Sequence, residues 1–124
     1  MSACGVAAPQ LLHMVTDWAA DVLRLEEAGR IRVGAPADLT VLPSGASAAD
    51  ALLECQRADI ALVVRRGTPV LGDPGLRHAF DCRGIHVRQV EVDGRPRLLE
   101  AGLAKRIERC LIEEPGVRFP ARSS

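Results

Sequence analysis

Apolar residues recur at three- and four-residue steps through Leu11, Leu12, Met14, Val15, Trp18, Ala19, Val22 and Leu23, predicting helix with one buried face. Pro9 suits the first turn, and Gly29 is a natural stop. Thr16-Asp17 offers side-chain oxygens that cap a second short helix after a break. The stretch RIRVGAPADLTVL, Arg30 to Leu42, reads as two short strands joined by a Gly, Ala and Pro turn, with a lone Asp38 where the second strand begins. Pro43-Ser44-Gly45 ends that strand. Residues 46–49 read as loop, and Asp50 as the N-cap of a helix through Arg57, with Leu52, Leu53 and Cys55 inward.

The run Asp59 to Arg66, a turn at Gly67-Thr68 and the return Pro69 to Gly72 predict a hairpin. GDPGLRHAF follows as loop. Ile85 to Val92 alternates apolar and polar positions, the mark of a half-buried strand. Asp93-Gly94 is the favoured dipeptide of a tight turn into Arg95 to Leu99, where Pro96, lacking a donor, predicts an edge strand. A last amphipathic helix runs from Leu103 to Leu111, stopped by Pro115-Gly116, and RFPARSS reads as frayed. The fold class is therefore α+β, mainly β: a small sandwich-like sheet of hairpins with an N-terminal helical segment and a C-terminal helix. Residues 1–28 form the helical segment, 29–100 the sheet domain, and 101–124 the closing helix and tail.

Charge removes several function classes. The chain has 124 residues with 16 basic and 16 acidic side chains, so no broad attraction to phosphates or anionic lipid is expected. Aromatics are limited to Trp18, Phe80 and Phe119, too few for base-stacking platforms. No nucleic-acid and no membrane partner is expected. Apolar runs such as Ile60 to Val64 are far short of the roughly 20 residues that cross a bilayer, and MSACGVAAPQ has no signal-peptide pattern. A cytoplasmic protein is expected. Cys4, Cys55, Cys82 and Cys110 lack zinc-site spacing and read as reduced, small apolar residues.

Chemistry-bearing groups are sparse. His13, His78 and His86 stand in no metal-binding pair, and Ser44 and Ser47 in no nucleophile elbow. No phosphate loop or dinucleotide fingerprint occurs. The exposed pair Arg65-Arg66 with His86 could grip an anionic ligand, and His78 or His86 could work with Asp73 or Asp81 as an acid–base set. In both cases solvated surface is the plainer reading.

Three local patterns in order carry a resemblance. MVTDWAADVLRL resembles the M-x-T-x-x-A-A-x-x-L segment that follows the barrel in the amidohydrolase superfamily of metal-dependent hydrolases and deaminases. GRIRVGAPADLTVL is similar to that superfamily's G-x-I-x-x-G-x-x-A-D-L-x-V entry into a small β-sandwich. DIALVVRRGTPVLG and VRQVEVDGRPRLL resemble the strands that follow. The resemblance covers Leu11 to Leu99 and marks Thr16, Gly34, Asp38, Gly67, Asp93 and Gly94 as structural motif positions.

What the resemblance implies is a C-terminal sandwich portion without its barrel, non-catalytic and structural, from a parent that hydrolyses non-peptide C–N bonds with zinc or another divalent metal. A barrel needs about 200 residues or more and carries its active site on its own loops. No catalytic, cofactor-binding or metal residue is therefore assigned to this chain, and no cofactor. The family's sandwich is also completed by strands from the other end of the full protein. Self-association, or a partner supplying barrel or strands, is expected. The alternative is a stand-alone ligand-binding or oligomerisation module reusing the fold.

Overall fold

The computed structural model of the chain describes residues 5–120. Two short helices, α1 (Ala8–Val15) and α2 (Asp17–Val22), lead into an irregular stretch and then strand β1 (Leu39–Val41). Helix α3 (Ala48–Glu54) and a 3-10 turn at Arg57–Asp59 precede the hairpin β2 (Leu62–Arg65) and β3 (Thr68–Gly72). A second 3-10 turn at Pro74–Leu76 runs into α4 (Arg77–Asp81). The hairpin β4 (Val87–Val92) and β5 (Arg95–Glu100), helix α5 (Ala101–Glu108) and β6 (Val117–Arg118) complete the order. All six strands join one antiparallel sheet in the order β1-β2-β3-β5-β4-β6. The α+β class read from the sequence holds.

Register explains the core. Val90 faces Arg97, Arg88 faces Leu99, and Leu71 faces Leu99, so Leu71, Val90, Val92 and Leu99 share one face of the sheet. Ala104 of α5, fully buried, closes on that face, with Leu103, Ile107, Val117 and Phe119 around it. The other face carries Gly72 opposite Leu98, and there the Phe80 ring of α4 lies where a Gly72 side chain would stand. Phe80 has no exposed surface. Residues 97–99 are consecutively buried because both faces of β5 are covered.

Several expected elements differ. Arg30 to Val33 is not a strand: nothing pairs with it, and Ile31 and Val33 are almost fully exposed. Without a neighbour, β-propensity alone does not hold an extended segment. The α3 cap is Ser47, whose Oγ accepts from Asp50 N at 3.1 Å. A hydroxyl at that position reaches the third amide of the helix, whereas Asp50 already lies inside the first turn. That helix ends at Glu54, short of Arg57, and Leu53 points to solvent.

Pro96 does not mark an edge, since β5 sits between β3 and β4. Its missing donor costs nothing because β3 pairs only with Leu98 and Leu99, stopping short of Pro96. GDPGLRHAF is not loop but the second 3-10 turn and α4, started by Asp73 accepting from Gly75 N at 2.9 Å.

Helix α5 begins at Ala101 and ends at Glu108, leaving Leu111 fully exposed. Its start is set by Glu100, which accepts from Gly102 N and Leu103 N, both at 2.7 Å. Those two amides hold the Glu100 carboxyl below the ordinary glutamate value. Arg118 and Phe119 are not frayed. β6 pairs Val117 with Val92 and covers the outer edge of β4, and Phe119 lies under the Arg88 guanidinium. Residues 121–124 of the expected tail, like Cys4, lie outside the described residues.

Candidate assembly surface

The apolar stripe of the first two helices does not find a core. α1 has no buried residue and α2 only Ala20, while Met14, Val15, Trp18, Val22 and Leu23 are all exposed. This corrects the expected buried face. His13 stacks on Trp18, and Leu11 and Leu12 are half-buried, but these five side chains stay exposed. Beside it opens a cavity of about 1010 Å³ between Leu12 and Val15 of α1, Leu39 of β1, and Ala51 and Leu52 of α3, floored by Ile60. The free edge of β1 borders this groove. β1 pairs only with β2, and its three residues are exposed. A row of backbone donors and acceptors beside an apolar trough is the geometry that takes an added strand.

Asp38 sets the position of that edge. Its Oδ1 accepts from Arg66 N at 2.6 Å, and Gly67 N donates to Ala37 O at 2.9 Å. The carboxylate therefore bridges to the neighbouring hairpin. It does not serve the amides of its own Gly34 to Ala37 turn. Arg66 and Gly67 both have positive φ, 48° and 75°, so their amides turn outward toward β1. Thus the structure brings Asp38 and Gly67 together. Asp38→Ala is expected to lose about 1 kcal/mol and to detach β1 before the rest of the sheet. Urea denaturation and amide exchange of Val63 and Arg66 check this; unchanged protection at those amides would refute the bridge.

The other motif positions lie apart. Thr16 occupies the break between α1 and α2, but its hydroxyl donates to Leu12 O at 2.7 Å and caps no amide of α2. Its backbone, at φ −124° and ψ −105°, turns the chain and carries the side chain back over the preceding helix. Gly34 sits in the exposed turn before β1 with positive φ. Asp93 and Gly94 form the β4–β5 turn, with φ of 49° and 80°. The Asp93 carboxylate also holds Arg57, Nε at 3.0 Å and Nη2 at 2.5 Å, and Arg57 reaches Glu114 at 2.6 Å and Pro115 O at 2.8 Å. The Arg57 hydrogen bonds keep the Asp93 carboxyl below its ordinary value. Sequence reasoning missed Arg57, since its partners stand 36 and 57 residues away and leave no local signal.

Among the described residues the expected set of His78 or His86 with Asp73 or Asp81 is not brought together. His13 is hydrogen-bonded to Asp17 at 2.7 Å and stacked on Trp18. Asp73 is bound to Arg97, and Asp81 pairs with Arg77. No hydrogen bond or ion pair joins His78 or His86 to either carboxylate among the described residues. Arg65-Arg66 and His86 lie at the same end of the sheet, but β3 and β5 intervene. At strand spacing of about 4.8 Å that separates them by roughly 14 Å, too far to grip one small anion. Among the described residues no three of His, Cys, Asp and Glu cluster closely enough to hold a metal ion. Cys55, Cys82 and Cys110 are free, but Cys82 and Cys110 are exposed and do not act as core residues.

The sequence profile of the amidohydrolase family matches residues 5–97, three-quarters of the chain. The chain belongs to the amidohydrolase family. No curated protein and no solved structure gives a significant match. Within this amidohydrolase-family chain the matched span contains α1 through the first half of β5, including the groove and all six motif positions. No helix among the described residues is long and apolar enough to cross a membrane.

Proposed function

We propose that this chain is a non-catalytic, sheet-bearing portion of an amidohydrolase assembly. It braces a metal-bearing barrel supplied from elsewhere and helps form subunit contacts. The assembly as a whole hydrolyses non-peptide C–N bonds. One observation carries the reading: the groove is bordered by the exposed Val15 of the apolar stripe on one side and by the free β1 edge on the other. Burying that surface is favourable at about 25 cal/mol per Å² of apolar area, and an added strand satisfies the β1 edge at the same time. The occupant is an extended segment with alternating apolar side chains, either from a barrel-bearing partner or from a second copy.

The chain's own residues support the non-catalytic part, because the expected acid–base carboxylates Asp73 and Asp81 are bound to Arg97 and Arg77 and not to His78 or His86. Metal analysis and an amide- and amidine-hydrolysis screen of the chain test it. The expected result is substoichiometric zinc and no turnover above buffer. One zinc per chain with turnover that chelation removes would overturn the proposal.

A further inference from the structure

The sheet has two outer edges, and they end differently. β1 pairs only with β2 and is open. On the opposite side β4 would be the outer strand but for β6, whose Val117 and Arg118 stand against Val92 and Glu91. A terminal strand of two residues is below the usual strand length and contributes little ladder of its own. Other contacts hold it in place.

At the start of the segment the Arg57 guanidinium binds Asp93 of the β4–β5 turn through Nε and Nη2, and reaches Glu114 and Pro115 O with its remaining hydrogens. Asp93 N donates to Gly116 O at 2.8 Å. Gly116 has φ of 82°, and a Cβ there would lie 2.1 Å from Asp93 Oδ1 and 2.8 Å from Arg57 Nη2, so a glycine lets that ion pair cross the backbone. Further on, Val117 and Phe119 pack against Val90, Val92, Leu99 and Ala104, and the Arg88 guanidinium stands 5.4 Å from the Phe119 ring centre. Arg118 is exposed opposite Glu91, and Pro120 brings no N–H to a ladder. Shortness, an outward charge and a proline are the features that blunt a sheet edge. β1, which reads Leu39-Thr40-Val41, carries neither charge nor proline.

We propose that residues 114–120 are a strap that closes the β4 edge to strand addition, so that the chain by itself associates through β1 alone and stops at a closed pair. A second copy laid antiparallel on β1 about Thr40 sets Leu39 against Val41 and Asp38 against Leu42, so no like charges meet. That contact uses the same edge of both copies and is complete at two. With β4 also open, β1 of one copy on β4 of the next would leave a free edge at each end and continue as a filament. The closed pair rests on the assembly reading of the β1 groove, whereas the closing of β4 stands without it.

Sedimentation velocity and amide exchange on the whole chain test it. Gly116→Val with Phe119→Ser removes the turn and the core anchor of the strap. In that variant the residue-93 amide is expected to exchange at least about tenfold faster, while Asp73 N, bound to Ala61 O, and Ala101 N, bound to His86 O, stay protected. The parent chain is expected to reach two copies and no more, and the strap variant to form species that grow past two with concentration. Val41→Lys charges the β1 edge; alone it is expected to leave monomers, and combined with the strap variant to give pairs through β4. Asp93→Asn keeps a favoured turn dipeptide and loosens only the Arg57 clamp, so it carries the same test with a smaller effect where the double variant loses its control amides. A residue-93 amide that stays protected, or an opened strap that adds no association to Val41→Lys, would overturn the strap. A parent chain that grows past two copies would overturn it as well. Undiminished association of Val41→Lys alone would overturn the β1 reading, and the strap is then decided by whether its release adds larger species.

Discussion

Phe80→Ala is expected to destabilise the fold by about 3–5 kcal/mol. The ring has no exposed surface and sits over Gly72, whose added Cβ would lie 2.8 Å from its Cε2. Gly72 and Leu62 face each other across β2 and β3, so one ring fixes α4 to the central strands. Few other large side chains share the load: among those described, only Phe80 and Val90 are buried below 2% exposure. Removing the ring leaves a cavity that three short elements cannot collapse to fill. Total stabilities are about 5–15 kcal/mol, so the variant is expected to be largely unfolded at modest urea. Urea titration by circular dichroism checks this, and a midpoint close to that of the parent chain would contradict the packing described.

Gly29→Ala is expected to lose about 3 kcal/mol, from a left-handed backbone and a close backbone contact together. Gly29 has φ of 72°, and a Cβ there would stand 2.5 Å from the Thr16 carbonyl oxygen and 3.0 Å from Ala20 Cβ. That oxygen already accepts from Ala20 N at 3.0 Å, so the α1–α2 break cannot retreat without losing its own hydrogen bond. Gly29 thereby presses the chain against the helices and forms one wall of the groove. A thermal melt with an apolar fluorescent dye checks both consequences: a lower midpoint and altered dye binding. An unchanged midpoint would show that the segment yields freely.

These two glycine and phenylalanine contacts also show what could be read in the sequence. The hairpins were legible because Asp93-Gly94 and the period-two alternation of Val87 to Val92 are local signals. The second helix ends at Val22 and not at the expected stop, Gly29, whereas the break at Thr16 was legible for the same reason. Burial of Phe80 was not, since GDPGLRHAF carries turn chemistry and its helix exists only to place one ring on Gly72. Pro96 misled because a proline excludes a ladder bond on one side, and the place where β3 ends decides whether that side matters. The stripe on α1 and α2 has a helical period, but periodicity reports which residues avoid water and not what covers them. Asp38 stood alone at the start of its strand, and its partner, the Arg66 amide, lies in a hairpin 28 residues on, beyond any local signal. Arg97 gave no signal at all; an alternating Arg-Pro-Arg looks solvated until both faces of β5 are covered.

The uncovered groove and free β1 edge make assembly the central claim, and sedimentation velocity of the purified chain over a concentration series tests it most directly. Self-association that strengthens with concentration is expected, with binding of an apolar dye that falls as the assembly forms. A compact monomer at every concentration, with little dye bound, would contradict the account.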